Sequence, residues 1–454
     1  MHLLLAALLA AAPGASLTLD DALAEAARKN LDVELSRAQA LSAGVDTYAS
    51  YAGVLPRLDL SASFGHDFSG GRSLVTAFPT GLDATGTPIF EQQAVSIPAN
   101  DAADYALGLT LQLPLFDGGR NWNTIARARV AQRAAERSLD ETTLGVAYEV
   151  TRRFYEVVKA QESLRVLQET VARSEEFLRR SEALFEAARA SRLDVLTARG
   201  NLGADRISVE QGAARLEQAR ADLAVVLGRD AVEPIAVVAP AALDAPAPAA
   251  AGEPPDPAAL LATARRARPL LLAQAENVRA SELSQDIATG AWYPSVSAQA
   301  TYNRQGPSLA GGTDGVYGDP SRQYASTAAI LVQWNLFNGR QTVADEQRAA
   351  LATRRARAQA AQAEQNVSNE IARARSNLVA SRHATAIARE NLAAADQGVA
   401  VARDRLAAGV ANQLEVRDAS LKLTQAKLTL VQARVDEVVA LADLNRAVGG
   451  ALAP

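Results

Sequence analysis

The chain has 454 residues, a formal net charge of −5 and a sequence pI near 5.5, so it offers no basic footprint for nucleic acid. It contains no cysteine, which excludes disulfides, thiolate metal sites and cysteine nucleophiles. A mean hydropathy of −0.04 is too low for a bundle of transmembrane helices, while 48% hydrophobic residues suffice for a folded core.

Residues 1–16 read as a signal peptide. Their apolar run from Leu3 to Ala12 is shorter than the roughly 20 residues a membrane helix needs, and small residues follow Pro13-Gly14. The segment lacks the usual Lys or Arg at its start. No later stretch is apolar enough for a membrane helix, so an exported chain without a helical anchor is expected.

Repeat one spans 17–230: a helix near 18–53, strands near 57–68 and 104–115 around a loop, a long helix from Gly118 to about Ala188, a tip, and a helix near 192–228. The Pro- and Ala-rich stretch 231–256 reads as a linker. Repeat two, 257–450, has the same order: a helix near 257–291, strands near 294–303 and 324–336, a long helix from Arg340 to Ala408, a tip, and a helix near 412–448. Each long helix has no proline and runs for roughly 70 residues, or about 100 Å. Echoed motifs mark the duplication. Phe116-Asp117-Gly118-Gly119-Arg120 returns as Phe337-Asn338-Gly339-Arg340, and Leu193-Asp194-Val195 as Leu414-Glu415-Val416.

The four strands alternate with period two, and each is close to the roughly 9–11 residues of a tilted transmembrane strand. Leu58, Leu60 and Phe64 face away from Asp59, Ser61 and Ser63; Ile330, Val332 and Trp334 face away from Leu331, Gln333 and Asn335. Segments 69–104 and 304–323, rich in Gly, Pro, Asp and Ser, read as outer loops, and aromatic residues near the strand ends fit interfacial girdles. A soluble sheet packed on helices gives the same alternation. In lipid, an open sheet leaves its edge groups unpaired, and four strands cannot close, so several chains must share one barrel. Two copies give eight strands, whose interior side chains about fill, and three give twelve strands and a pore.

In the last helix a polar stripe of Glu415, Asp418, Lys422, Gln425, Thr429, Gln432 and Asp436 lies between two packing columns. One is Leu414, Leu421, Leu428 and Val435; the other is alanine every seventh residue from Ala419 to Ala447. A helix in a two-sided wall, with its stripe towards water inside, has this pattern, and an ordinary coiled coil with its polar face towards bulk solvent is the alternative.

The duplicated plan, the Phe-Asp-Gly-Gly-Arg junction and the two tip sequences together resemble the TolC-type outer-membrane efflux protein family over nearly the whole mature chain. The resemblance implies a mainly α homotrimer with a twelve-stranded transmembrane β-barrel, four strands per chain, continued by a long α-helical periplasmic tunnel. It implies an outer-membrane exit duct of a tripartite efflux or type I secretion system, working with a periplasmic adaptor and an inner-membrane pump. By the same resemblance, Glu415 and Asp418 match the family's entrance carboxylate rings. Tip contacts and adaptor docking fall on Ala188, Arg189, Arg192, Asp194, Gly409 and Val410. Phe116, Gly118, Gly119, Phe337 and Gly339 match the strand-to-helix junctions. Two departures stand out. Ala188 replaces the usual tip glycine, and Ala411 stands where some members have an arginine that pairs an acid like Asp194; Arg189 or Arg192 is the expected substitute.

No catalytic motif of the Gly-x-Ser-x-Gly, phosphate-loop or His-Glu-x-x-His type is present, and no cofactor or metal site is expected. The alternatives are a soluble periplasmic coiled-coil scaffold and a passive porin or receptor; long periplasmic helices argue against a porin.

Overall fold

A computed structural model describes residues 17–233, 235–239, 254–306, 323–408, 410–411 and 413–450. The expected signal peptide, most of the linker, most of loop 304–323 and Gly409 lie outside these residues. The chain divides into two compact units: residues 46–128 with 281–352, and the remainder.

The helices recur in the same order with the same or nearly the same lengths, while the first half has an additional pair of strands, β2 and β3. The first half holds α1 (Leu19–Lys29), α2 (Leu31–Ser50), strands β1 (Arg57–Ser69), β2 (Arg72–Leu82), β3 (Pro88–Ile97) and β4 (Asn100–Phe116), then α3 (Arg120–Glu186) and α4 (Arg192–Leu227). The second holds α5 (Pro257–Ala267), α6 (Pro269–Thr289), β5 (Ser295–Gly306), β6 (Gln323–Gln333), α7 (Gln341–Ala407) and α8 (Gln413–Val448). Both α3 and α7 have 67 residues, and both α4 and α8 have 36.

Local chemistry explains the starts and stops. Thr18 caps α1, which has Asp20 and Asp21 in its first turn and Arg28 and Lys29 in its last, complementing the helix dipole. Asp256 caps α5, with Pro257 at its first position. The single helices expected over 18–53 and 257–291 are each broken. At Asn30 the side-chain oxygen accepts from the Asp32 and Val33 N–H groups and starts α2, while its amide donates to the Val226 carbonyl at 2.8 Å. At Arg268 the next residue, Pro269, cannot continue the ladder of α5.

Each break receives a left-handed glycine. Gly228 ends α4 at φ 75°, and a Cβ there would lie 2.4 Å from the Lys29 carbonyl oxygen. Gly449 follows α8 at φ 91°, and its Cβ would lie 2.7 Å from the Arg268 backbone. Both positions therefore require glycine.

In the strand unit, one antiparallel sheet has the order β1-β4-β5-β6. Its register sets Leu58, Leu60 and Phe64 opposite Leu111, Leu109 and Tyr105, and Ala298 and Val296 opposite Ile330 and Val332. One face is therefore apolar. The other carries Asp59, Ser61, Ser63, Gln299, Thr301 and Asn303. The apolar face is uncovered: Leu60 is 70% exposed and Ile330 also 70%. Residues 69–104, expected as a loop, instead contain the β2–β3 ribbon and the start of β4; the ribbon is exposed on both faces. The last strand stops at Gln333, short of the expected 336.

In the helical unit, the largest apolar cluster joins α1, α3 and α4 around Phe154, Val157, Leu223 and Leu227, and Val435 of α8 completes it. Ile235 and Val237, from the stretch read as linker, belong to this core, and the Leu17 N–H donates to the Ala236 carbonyl at 2.7 Å. A second cluster joins α5, α7 and α8 around Ile371, Leu378 and Leu444; a third holds Ala388, Leu430 and Ala433.

Candidate functional site: hairpin tips and strand-to-helix junctions

The first tip is a helix end that closes on alanine. The Arg189 N–H reaches the Leu184 carbonyl at 2.7 Å, and the Ala188 N–H the Phe185 carbonyl at 2.9 Å. These are the two bonds of a Schellman motif, whose left-handed residue is Ala188 at φ 55°. Glycine is usual there because a Cβ crowds the backbone. Three residues on, Ser191 and Asp194 form a capping box for α4: each side chain accepts from the other's backbone N–H, at 3.2 and 2.9 Å. The Ser191 hydroxyl and N–H hold the Asp194 carboxyl below its usual pKa. Asp194 is therefore already engaged within its own tip. Arg189 and Arg192 are exposed and make no ion pair among the described residues.

At the second tip the Val410 N–H donates to the Arg405 carbonyl at 3.0 Å, and the Val410 side chain is exposed. Gly409 lies outside the described residues. Glu415 and Asp418 sit on one side of α8, and each has a cation beside it: Arg405 lies 3.4 Å from Glu415, and Lys422 lies 2.8 Å from Asp418. The hydrogen bond to Asp418 raises the Lys422 pKa. Both pairs are solvent-exposed and screened, so neither adds much to stability. Of the two packing columns expected beside them, Leu414 and Leu421 are exposed in the single chain. The column beyond the alanines, Val416, Leu423, Leu430 and Leu444, is buried.

A buried ionic knot behind the tips escaped the sequence reading. Arg417 of α8 donates to both carboxylate oxygens of Asp205 in α4, at 2.9 and 3.2 Å, and to the Ser174 hydroxyl of α3 at 3.0 Å; Ser174 in turn donates to Asp205. A signal was present. Ala198, Asp205 and Gly212 form a seven-residue column of buried positions, and a lone carboxylate among small residues demands a partner. Arg268, fully buried, is a second such cation: it bonds Glu370 at 2.6 Å, Glu141 at 3.2 Å and the Ala447 carbonyl.

The junctions turn strand into helix through two successive left-handed residues. They are Gly118 and Gly119 after β4 (φ 73° and 81°), and Gly339 and Arg340 after β6 (φ 68° and 72°). Arg340 thus takes the place of Gly119, not of Arg120. A Cβ on Gly118 would lie 2.3 Å from the Gly290 carbonyl. Asp117 accepts from the Asn121 N–H, and Asn338 from the Thr342 N–H, so each caps its long helix. Phe116 and Phe337 are exposed, as are Trp292, Tyr293 and Trp334 at the same end of the sheet. At the other end Phe64 stacks near Tyr105 and Tyr302 near Tyr324. No group of metal-ligating side chains occurs among the described residues.

Comparison with known proteins agrees with this fold. The family profile described as "Outer membrane efflux protein" matches residues 22–229 and 260–450. No curated protein sequence matches the chain. Among solved structures, the open-state MtrE outer membrane channel of Neisseria gonorrhoeae is 18% identical with a TM-score of 0.75, covering 95% of this chain and 88% of that one. The CmeC outer membrane channel of Campylobacter jejuni is 17% identical with a TM-score of 0.73, covering 95% and 85%. The outer-membrane channel OprN is 22% identical with a TM-score of 0.74, covering 95% and 90%. Matched over most of its length, the chain belongs to the outer membrane efflux protein family.

Proposed function

We propose that three copies of this chain close a twelve-stranded barrel in the outer membrane and continue it as a helical periplasmic tunnel. Through it, cargo from an inner-membrane pump and a periplasmic adaptor leaves the cell, in efflux or type I secretion; the protein is a duct, not an enzyme. The observation that carries this reading is the four-stranded sheet. Its β1 and β6 edges are open, its apolar face is uncovered, and aromatic residues mark both ends of that face. Neither open edges nor an uncovered apolar face suits water, and only closure with other chains suits lipid. The exposed Leu414 and Leu421 column gives a neighbouring copy a packing surface. Glu415 and Asp418 then form entrance rings whose field Arg405 and Lys422 partly cancel. Arg189, Arg192, Ala188, Gly409 and Val410 form the adaptor-facing tips. Reconstitution into planar bilayers after detergent extraction tests the reading: three-fold particles and discrete conductance steps are expected. A water-soluble monomer without conductance overturns it.

A further inference from the structure

Close behind the tips, α3, α7 and α8 line a half-open groove with a volume of about 170 Å³. Four arginines line it, Arg173 and Arg417 half-buried and Arg180 and Arg403 exposed, against one acid, Glu176. Such a concentration of like charge is costly unless something answers it. The protein answers it only in part. Asp205 pairs with Arg417. Arg173 donates to two hydroxyls, Thr170 at 2.9 Å and Thr424 at 3.1 Å, and its nearest acid, Glu169, is 3.9 Å away and also bonded to Lys427. Arg180 and Arg403 make no ion pair among the described residues. Burial holds the Arg173 pKa below its usual value, and Arg403 nearby adds to the effect.

We propose that this groove binds a small, doubly charged tetrahedral oxyanion of the phosphate or sulfate class. Guanidinium groups match such an anion because their planar donors reach several of its oxygens at once. The volume suits an ion of that size, and the Gln413 side-chain amide, whose oxygen accepts from Ser181, offers a further donor. Bound there, the anion links α3 to both helices of the second hairpin and stiffens that hairpin. The inference does not depend on the duct reading, since every residue belongs to one chain.

The test uses the purified full chain in detergent and inorganic phosphate, with chloride holding ionic strength constant. Phosphorus NMR line broadening reads binding directly, and thermal unfolding reads linkage. Saturable broadening and a saturable rise in Tm are expected. Arg403→Gln and Arg180→Gln remove charges that hold no protein partner, so each should fold normally. Each should also weaken phosphate binding by about tenfold, the worth of one charge-assisted hydrogen bond. Equal stabilisation by chloride, unchanged binding in both variants, or a response to succinate alone overturns the assignment.

Discussion

Replacing Ala188 by glycine should stabilise the first hairpin tip. Both hydrogen bonds of the helix stop are in place, so the Cβ at φ 55° is the one unfavourable feature. A left-handed alanine costs about 1–2 kcal/mol. Glycine returns about 0.4–1 kcal/mol of this through the greater freedom of the unfolded chain. The balance favours glycine by about 0–1.6 kcal/mol, and a value near the middle, about 1 kcal/mol, sets the expected effect. Because the tip is exposed and opens locally, the gain belongs to local opening more than to global unfolding. Amide hydrogen exchange at Ala188 and Arg189 is therefore the assay, and about fivefold slower exchange is expected in Ala188→Gly, with core amides unchanged. Ala188→Val should accelerate it, since a β-branched residue tolerates this conformation worse than alanine. Unchanged or faster exchange in the glycine variant would refute the strained-alanine account.

Asp205→Ala should lower stability by about 3 kcal/mol, because it strands Arg417 in a largely buried site; Asp205→Leu with Arg417→Met should recover most of that loss, read by thermal melting. Glu25 sits below the usual carboxylate pKa because Arg229 bonds both its oxygens, at 2.6 and 2.9 Å. A depressed pKa contributes stability above the unfolded value and loses it as pH falls through the folded one, so acidification should speed exchange in α1, and Glu25→Gln should remove that dependence. Gly228→Ala and Gly449→Ala should each fail to give a stable product in an expression and melting assay, since both face backbone closer than any Cβ tolerates. Lys422→Ala and Arg405→Ala should raise cation selectivity in bilayer recordings by unmasking Asp418 and Glu415; unchanged reversal potentials would remove those acids from the pore lining.

What the sequence disclosed follows from how strongly each element repeats a period. The long helices announce themselves by the absence of proline, and β1, β4, β5 and β6 by alternation that one apolar face enforces. The β2–β3 ribbon has no buried face, so nothing selects alternation, and Pro79 and Gly81 at its register shift disguise it further. The break at Arg268 was readable from Pro269, whereas that at Asn30 depends on a carbonyl 196 residues away. At the tips, Ser191-x-x-Asp194 is a legible cap. The arginine groove is not, because its cations come from three helices and meet only in the folded chain.

The helix α8 supplies Val435 to the first apolar cluster, Leu444, Ala447 and Val448 to the second, and Leu430 and Ala433 to the third. A nascent chain therefore cannot finish any of the three before α8 has been synthesised. A chain cut short ahead of residue 430 would leave every one of these seams open at once. This one helix thus works as a shared keystone, and its loss would take a wall from all three clusters together.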